Sequence, residues 1–226
     1  MTKRVIKEAF IKSLPVLAGY IVLGIGFGIL LEKGGHGVWW ALLMSVTIYA
    51  GSMQYVGVSL IAGSASLITT AITALMVNAR HLFYGISMIN MYKGAGKKKL
   101  YLAFALTDET YSLLCDGHYP EGENEHVYRF FVSLFDHCYW ILGCVLGALL
   151  GAVIPFDTTG IEFSMTALFV TVFVEQWLST KNHAPAVLGV VATAACRLIF
   201  GSDVFLIPSM AVIGVSLIIM KKGGKA

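Results

Sequence analysis

Charge is what this sequence has least of. Asp, Glu, Lys and Arg make up 13% of its 226 residues, about half the share near 25% of an ordinary soluble domain. The few charges crowd into 1–12, 93–99, 116–129 and 221–225, with long apolar stretches between them. That distribution excludes a solvated surface of normal extent. It also excludes a nucleic-acid face, because the formal charge of +3 comes from Lys and Arg that flank apolar segments. Cys115, Cys138, Cys144 and Cys196 form no CxxC pair, which leaves no zinc ribbon or dithiol redox motif. Cys138, Cys144 and Cys196 lie inside apolar segments and read as small, reduced packing residues. There is no HExxH zinc pair, no GxSxG elbow and no phosphate loop. No polar segment is large enough for a nucleotide-binding domain, so an ATP-driven pump is excluded. No enzyme activity, cofactor or metal is expected.

What the chain has instead is apolar sequence, with 57% hydrophobic residues and a mean hydropathy of +0.77. A membrane span needs about 20 mostly apolar residues. Eight segments can be drawn, at 14–31, 38–61, 64–90, 100–114, 127–150, 161–178, 185–201 and 203–220. The expected fold is all-α: a polytopic helical membrane protein forming a single domain over 1–226. The N-terminus superficially resembles a signal peptide. Its run LPVLAGYIVLGIGFGILL has 18 residues, longer than a usual h-region, and no small-x-small cleavage site follows. It reads as a retained first helix behind a cytoplasmic basic tail.

Topology sets two rules against each other. Lys3, Arg4, Lys7 and Lys12 place the N-terminus inside, and Lys221, Lys222 and Lys225 place the C-terminus inside. Eight spans satisfy both. Yet three spans before KGAGKKK would put Lys93, Lys97, Lys98 and Lys99 outside. Two re-entrant or broken elements repair this, one among the first three segments and one at 100–114. The latter has only 15 residues and carries Thr107, Asp108 and Glu109 in its middle. At least one of 64–90 and 100–114 is expected to be discontinuous, since irregular backbone at membrane depth must be buried in protein or line a polar cavity. A faint internal repeat sets GILL (28–31) against GALL (147–150), Gln54 against Gln176, and RHLFYG (80–85) against RLIFG (197–201). It suggests halves at about 14–92 and 127–201, with spacings of 26 and 26 residues against 29 and 21.

Several constellations could carry chemistry. Gly19, Gly24, Gly26 and Gly28 crowd the first helix. Gly24 and Gly28 are spaced for close helix approach, or alternatively mark a local unwinding that exposes backbone to a substrate. YAGSMQYVG (49–57) sets Tyr49, Gly51, Ser52 and Gln54 in the middle of an apolar segment. Gln54 there is either interhelical glue or a substrate contact. VNARHLFYG (77–85) places Asn78, Arg80 and His81 with apolar sequence on both sides. Either Arg80 snorkels from an interfacial helix end, or the trio is functional, with Arg80 suited to a carboxylate and His81 to carrying a proton. Asp108 and Glu109 are candidate proton carriers or ion-pair partners for Arg80. Asp136–His137 and Glu175–Gln176 raise the same question more weakly.

GYxxLGxGFG from Gly19 to Gly28, YAGSMQ (49–54), NARHLFYG (78–85) and LTDE (106–109), in this order, resemble the AzlC/YgaZ family, the large subunit of branched-chain amino acid exporters. The likeness spans nearly the whole chain in length and helix layout. Its specific motifs lie in the first half, residues 115–226 match only in general character, and NARH departs from an expected NLRH. The resemblance implies a bacterial plasma-membrane secondary transporter for leucine, isoleucine, valine and methionine. It would work with a small AzlD/YgaH-like membrane subunit. A zwitterionic substrate then needs a carboxylate partner (Arg80, or N–H groups at a half-helix N-terminus), an ammonium partner (Asp108 or Glu109) and an apolar pocket. Phe27, Phe83 and Tyr84 could line that pocket, and Gly26, Gly51, Ser52, Gln54 and Asn78 could supply backbone and polar contacts. His81 with Asp108 or Glu109 would couple export to proton entry. A competing reading is a structural or assembly subunit whose partner holds the substrate site. A channel and an intramembrane hydrolase rank below both.

Overall fold

The computed structural model of the chain describes residues 2–153, 180–201 and 205–222, with 160, 163, 166, 167, 170, 173, 174, 177 and 178 between them. Glu175, Gln176 and Lys225 lie outside the described residues, as does most of the segment expected at 161–178. Among the described residues every regular element is a helix. The first is α1 (Thr2–Lys33), followed by α2 (Val38–Thr47), α3 (Gly51–Ala62), α4 (Leu67–Met88), α5 (Lys98–Phe104), α6 (Asp108–Leu114) and α7 (Glu125–Val153). Two more, α8 (Ala184–Phe200) and α9 (Leu206–Lys222), close the chain. Residues 1–165 and 166–226 form two compact units.

In the first unit, α1 and α7 are long and apolar enough to cross a membrane, with mean hydropathies of 2.3 and 1.5. They pack side by side and run parallel. Phe10 meets Phe135 edge to face at 5.4 Å, Ser13 Oγ bonds Tyr139 Oη at 3.0 Å, and Gly24 then abuts Gly143 and Cys144. A Cβ on Gly24 would stand 2.8 Å from the Cys144 amide nitrogen, so the backbones touch directly. Gly28 meets Gly147 and Ala148, and Gly151 meets Ile29, in the same way. With no hydrophobic drive between helices in lipid, this close approach is how such helices associate. It also accounts for Gly24 and Gly28 of α1, which runs unbroken and is not unwound between them.

The segment expected at 38–61 is broken. The chain leaves the helix at Ile48, passes Tyr49 at a φ of 43°, and starts α3 at Gly51. Tyr55 donates to the Leu23 carbonyl at 2.7 Å, and Val58 lies beside Gly34. α3 therefore climbs back towards the end of α1 from which α2 descended, making α2–α3 a re-entrant hairpin. The segment at 100–114 is broken likewise at Ala105–Thr107. Leu102 and Leu114, on its two arms, share one apolar cluster with Val5, Ala9, Met88, Tyr92, Tyr128 and Val132. It is a second hairpin, entering from the opposite end. The segment at 64–90 is one continuous helix, begun by Ser66, whose hydroxyl accepts from the Thr69 N–H at 3.1 Å.

With two re-entrant elements, the basic loop at 93–99 falls at the same end as Lys3, Arg4 and Lys7, as the charge argument requires. Arg129 fixes this end by donating to the Met91 carbonyl at 2.7 Å while paired with Glu125 at 2.9 Å. Lys12 and Asp116 pair there at 3.3 Å, and the His118 N–H, with Lys12, holds the Asp116 carboxyl below its ordinary range. Large apolar side chains point outward, Trp39 at 78% and Leu67 at 89% exposure. A surface this apolar suits lipid and not water.

The second unit pairs α8 with α9. Pro185 opens α8, Gly201 ends it at a φ of 79°, and Arg197 lies over the Phe205 ring at 5.7 Å. Leu198 is 87% exposed.

Candidate functional site

A re-entrant hairpin brings helix ends into the protein interior, where their orphan backbone groups must find partners. α3 begins with Ala50 at its N-cap, which offers no capping side chain. Its first internal bond is from the Gln54 N–H to the Ala50 carbonyl at 2.9 Å. The N–H groups before it point along the axis towards the hairpin tip. α6 begins with a Thr107 cap, accepting from the Thr110 N–H at 3.2 Å, and with Asp108 and Glu109 in its first turn, the favoured sign there.

Arg80 joins the two tips. It projects from the interior of α4, donates through Nη2 to Ser52 Oγ in the first turn of α3, and pairs through Nη1 with Asp108 Oδ2 at 2.8 Å. The two charged side chains are 27% and 30% exposed. Arg80 is thus at the level of both breaks, not at a helix end. Its neighbours Gly51, Ser52, Asn78, His81, Tyr84, Asp108 and Glu109 are all half-buried. The Asn78 side-chain oxygen is buried without a hydrogen-bond partner among the described residues. The Tyr84 ring stacks on Tyr111 at 4.8 Å, tying α4 to α6. His81 Nδ1 faces the Asn78 carbonyl at 3.2 Å, within its own helix, and among the described residues it makes no hydrogen bond to Asp108 or Glu109.

Behind this ion pair lies a buried polar core. Glu109 accepts from Tyr20 Oη at 2.8 Å, and Tyr20 Oη lies 2.6 Å from Thr107 Oγ1. Thr110 donates to Asp136 Oδ2 at 2.7 Å. His137 bridges the hairpins, with Nε2 at 3.1 Å from the Ser45 carbonyl and Nδ1 at 3.0 Å from Tyr101 Oη. Trp140 donates to Gln54 Oε1 at 2.8 Å. Gln54 therefore faces α7, while Ser52, two residues earlier, faces Arg80. Phe27 is sealed between Tyr55 and Trp140, and Gly26 is half-buried within α1. Tyr20, Thr110 and Trp140 escape a reading of the sequence. Each is ordinary in an apolar helix, and only the meeting of α1, the second hairpin and α7 gives it a polar partner. The second unit holds a separate cavity of about 780 Å³, lined by Trp177, His183, Thr193, Arg197 and Phe205 among others.

Re-entrant hairpins from opposite ends, tips joined by a half-buried ion pair and an outer surface of apolar side chains define a polytopic helical membrane protein with a polar centre. The chain belongs to the AzlC family: the family described as AzlC protein matches residues 15–154. The branched-chain amino acid transport protein AzlC of Bacillus subtilis is 40% identical, over 97% of this chain and 87% of the relative. A membrane protein of Haemophilus influenzae is 42% identical over 94% of this chain and 87% of its own. The inner membrane protein YgaZ of Escherichia coli is 30% identical over 70% of this chain and 68% of its own. No solved structure matches the chain.

Proposed function

We propose that this chain is a plasma-membrane permease that exports leucine, isoleucine, valine and methionine by proton-coupled secondary transport, together with a small AzlD/YgaH-like membrane subunit. The kinship to the Bacillus subtilis transport protein supports the substrate class. One observation carries the site: Arg80 holds the tip of one hairpin through Ser52 and the tip of the other through Asp108.

A zwitterionic amino acid fits between these groups. Its carboxylate takes the place of Asp108 on Arg80, beside Gly51, Ser52 and the uncapped N–H groups of α3. Its ammonium goes to the Asp108 carboxylate thus released, with Glu109 and the Asn78 side-chain oxygen close by. Tyr84 walls the apolar side, and Gln54, Phe27 and Gly26 support the α3 tip from behind. Arg80 and Asp108 satisfy each other across the site, so neither half-buried charge is left bare. Substrate opens that pair and loosens the link between the hairpins. His81, Asp108 and Glu109 couple this opening to a proton. The end that gathers Lys3, Arg4, Lys7 and the 93–99 loop faces the cytoplasm, as does the C-terminus. The halves 14–92 and 127–201 are repeats in this reading, supported by Gly24 against Gly143 and Gly28 against Gly147, equivalent glycines that touch each other.

The test is leucine efflux from preloaded cells that lack their own exporters. Saturable efflux is expected from the pair of chains and not from this chain alone. Arg80→Ala in the pair should lower it by about tenfold or more at equal membrane abundance, since truncating one partner of a desolvated charge pair costs about 2–5 kcal/mol. Wild-type efflux from Arg80→Ala, or none from the wild-type pair, would sink the proposal.

A further inference from the structure

Between Glu109 and Asp136 runs an unbroken row of hydroxyl groups. Tyr20 Oη lies 2.8 Å from Glu109 Oε2 and 2.6 Å from Thr107 Oγ1; Thr107 Oγ1 lies 3.1 Å from Thr110 Oγ1; Thr110 Oγ1 lies 2.7 Å from Asp136 Oδ2. Tyr20, Thr107, Thr110 and Asp136 are all buried, Asp136 completely. The row draws on α1, both arms' junction of the second hairpin, and α7. It begins beside the Arg80–Asp108 pair and ends at a carboxyl to which the proposed site assigns no task.

Hydrogen counting sets its state. The row has four oxygen–oxygen links and three hydroxyl groups. Each hydroxyl donates once, and an ionised carboxylate cannot donate at all. With both carboxyls ionised, one link has no hydrogen and two buried oxygens face each other bare. One further proton completes every link. Placed on Asp136, it makes Asp136 donate to Thr110, Thr110 to Thr107, Thr107 to Tyr20 and Tyr20 to Glu109, turning round the Thr107-to-Thr110 donation of the structure. Placed on Glu109, it reverses the whole row. Thr107 Oγ1 also accepts the Thr110 N–H at 3.2 Å, and either direction leaves it one bond donated and two accepted, its full capacity.

We propose that Glu109, Tyr20, Thr107, Thr110 and Asp136 form a proton relay holding one shared proton, with Asp136 as its inner terminus. When the proton passes from Glu109 to Asp136, each of four O–H bonds breaks as its neighbour forms. Four are made and four broken, no electrons are exchanged, and the net change is one proton moved across the buried core. Glu109 meets the substrate site at one end, so opening of the Arg80–Asp108 pair is felt by the row. Asp108 and Arg80 face the Glu109 end, and Tyr49, stacked on His137, lies against Tyr20 and Thr110 as well as Asp136. What the moving proton drives rests on the permease reading above; the shared proton itself does not.

Infrared difference spectroscopy of the full chain in an ester-free detergent at neutral pH tests the sharing. The wild type should show a protonated-carboxyl C=O band, and either Asp136→Asn or Glu109→Gln alone should abolish it, because the new amide N–H supplies the missing hydrogen. No such band in the wild type, or a band that survives both substitutions, overturns the relay. Independently, Thr110→Val should lower pH-gradient-driven leucine transport by the pair by about tenfold or more, with Thr110→Ser restoring it. Wild-type transport in Thr110→Val also overturns the relay. If the wild-type pair moves no leucine while the infrared pattern holds, the permease reading fails and the shared proton stands.

Discussion

His137 illustrates what a broken helix asks of one side chain. α2 stops at Thr47, so its last carbonyls have no partners further along the helix. The Met44 carbonyl takes the Ile48 N–H at 2.9 Å and the Ser45 carbonyl takes His137 Nε2–H at 3.1 Å. That bond fixes the tautomer, because Nε2 must carry the hydrogen. Nδ1 is then the acceptor for the Tyr101 hydroxyl at 3.0 Å, and the ring face covers Tyr49 at 4.1 Å. One neutral imidazole therefore ties both hairpins to α7. His137→Phe should keep the stack and leave the Ser45 carbonyl and the Tyr101 hydroxyl without partners, at about 1–3 kcal/mol for each. The expected outcome is a lowered thermal midpoint in detergent with the chain still folded. An unchanged midpoint would mean that these bonds contribute nothing net.

At the scale of elements, the α1–α7 seam makes the sharpest demand. A Cβ on Gly24 would meet the backbone of Gly143 and Cys144, whereas one on Gly19 would meet nothing within 4 Å. Backbone cannot rotate aside as a side chain does. Gly24→Val should therefore part the helices and exceed the usual overpacking penalty of about 1–3 kcal/mol, while Gly19→Ala should be silent. The folded fraction on size exclusion after extraction measures both, and a well-folded Gly24→Val would refute the direct contact. The seam is legible in the chain itself. Tyr20, Gly24, Gly28 and the leucines at 30 and 31 recur as Tyr139, Gly143, Gly147, Leu149 and Leu150, in the register given by GILL and GALL. The break at 105–107 is legible too, because its segment is short and charged at its centre. A break among the first three segments follows from the charges, but its position at 48–50 does not. Residues 38–61 carry no charge, and where α2 ends its Ser45 carbonyl is taken by a histidine far along the chain. Arg80 stood out as a charge in an apolar run, but its partner could be chosen only once the hairpins folded back. The relay was hidden for the same reason, since a lone Tyr or Thr in a membrane helix carries no signal until a carboxyl is placed beside it.

For the whole molecule, the consequence of two re-entrant hairpins is a count of crossings. α1 crosses once, the α2–α3 hairpin enters and leaves by the same end, and α4 returns, so residues 88–99 come back to the end where the chain began. Had 38–61 been a full span, four lysines between 93 and 99 would face the side the positive-inside rule denies them. Buried side chains agree with the return path, because Val5 and Ala9 of α1 share a cluster with Met88, Tyr92 and Ala95. Single cysteines in an otherwise cysteine-free chain convert this into a measurement. Lys3→Cys and Lys97→Cys should both resist a membrane-impermeant maleimide in intact cells and react once the membrane is opened. Gly37→Cys, in the turn before α2, should react in intact cells. Labelling of Lys97→Cys from outside while Lys3→Cys stays protected would require a third full span between them, at 38–61. The hairpin tips would then no longer meet, and Arg80 could not hold both.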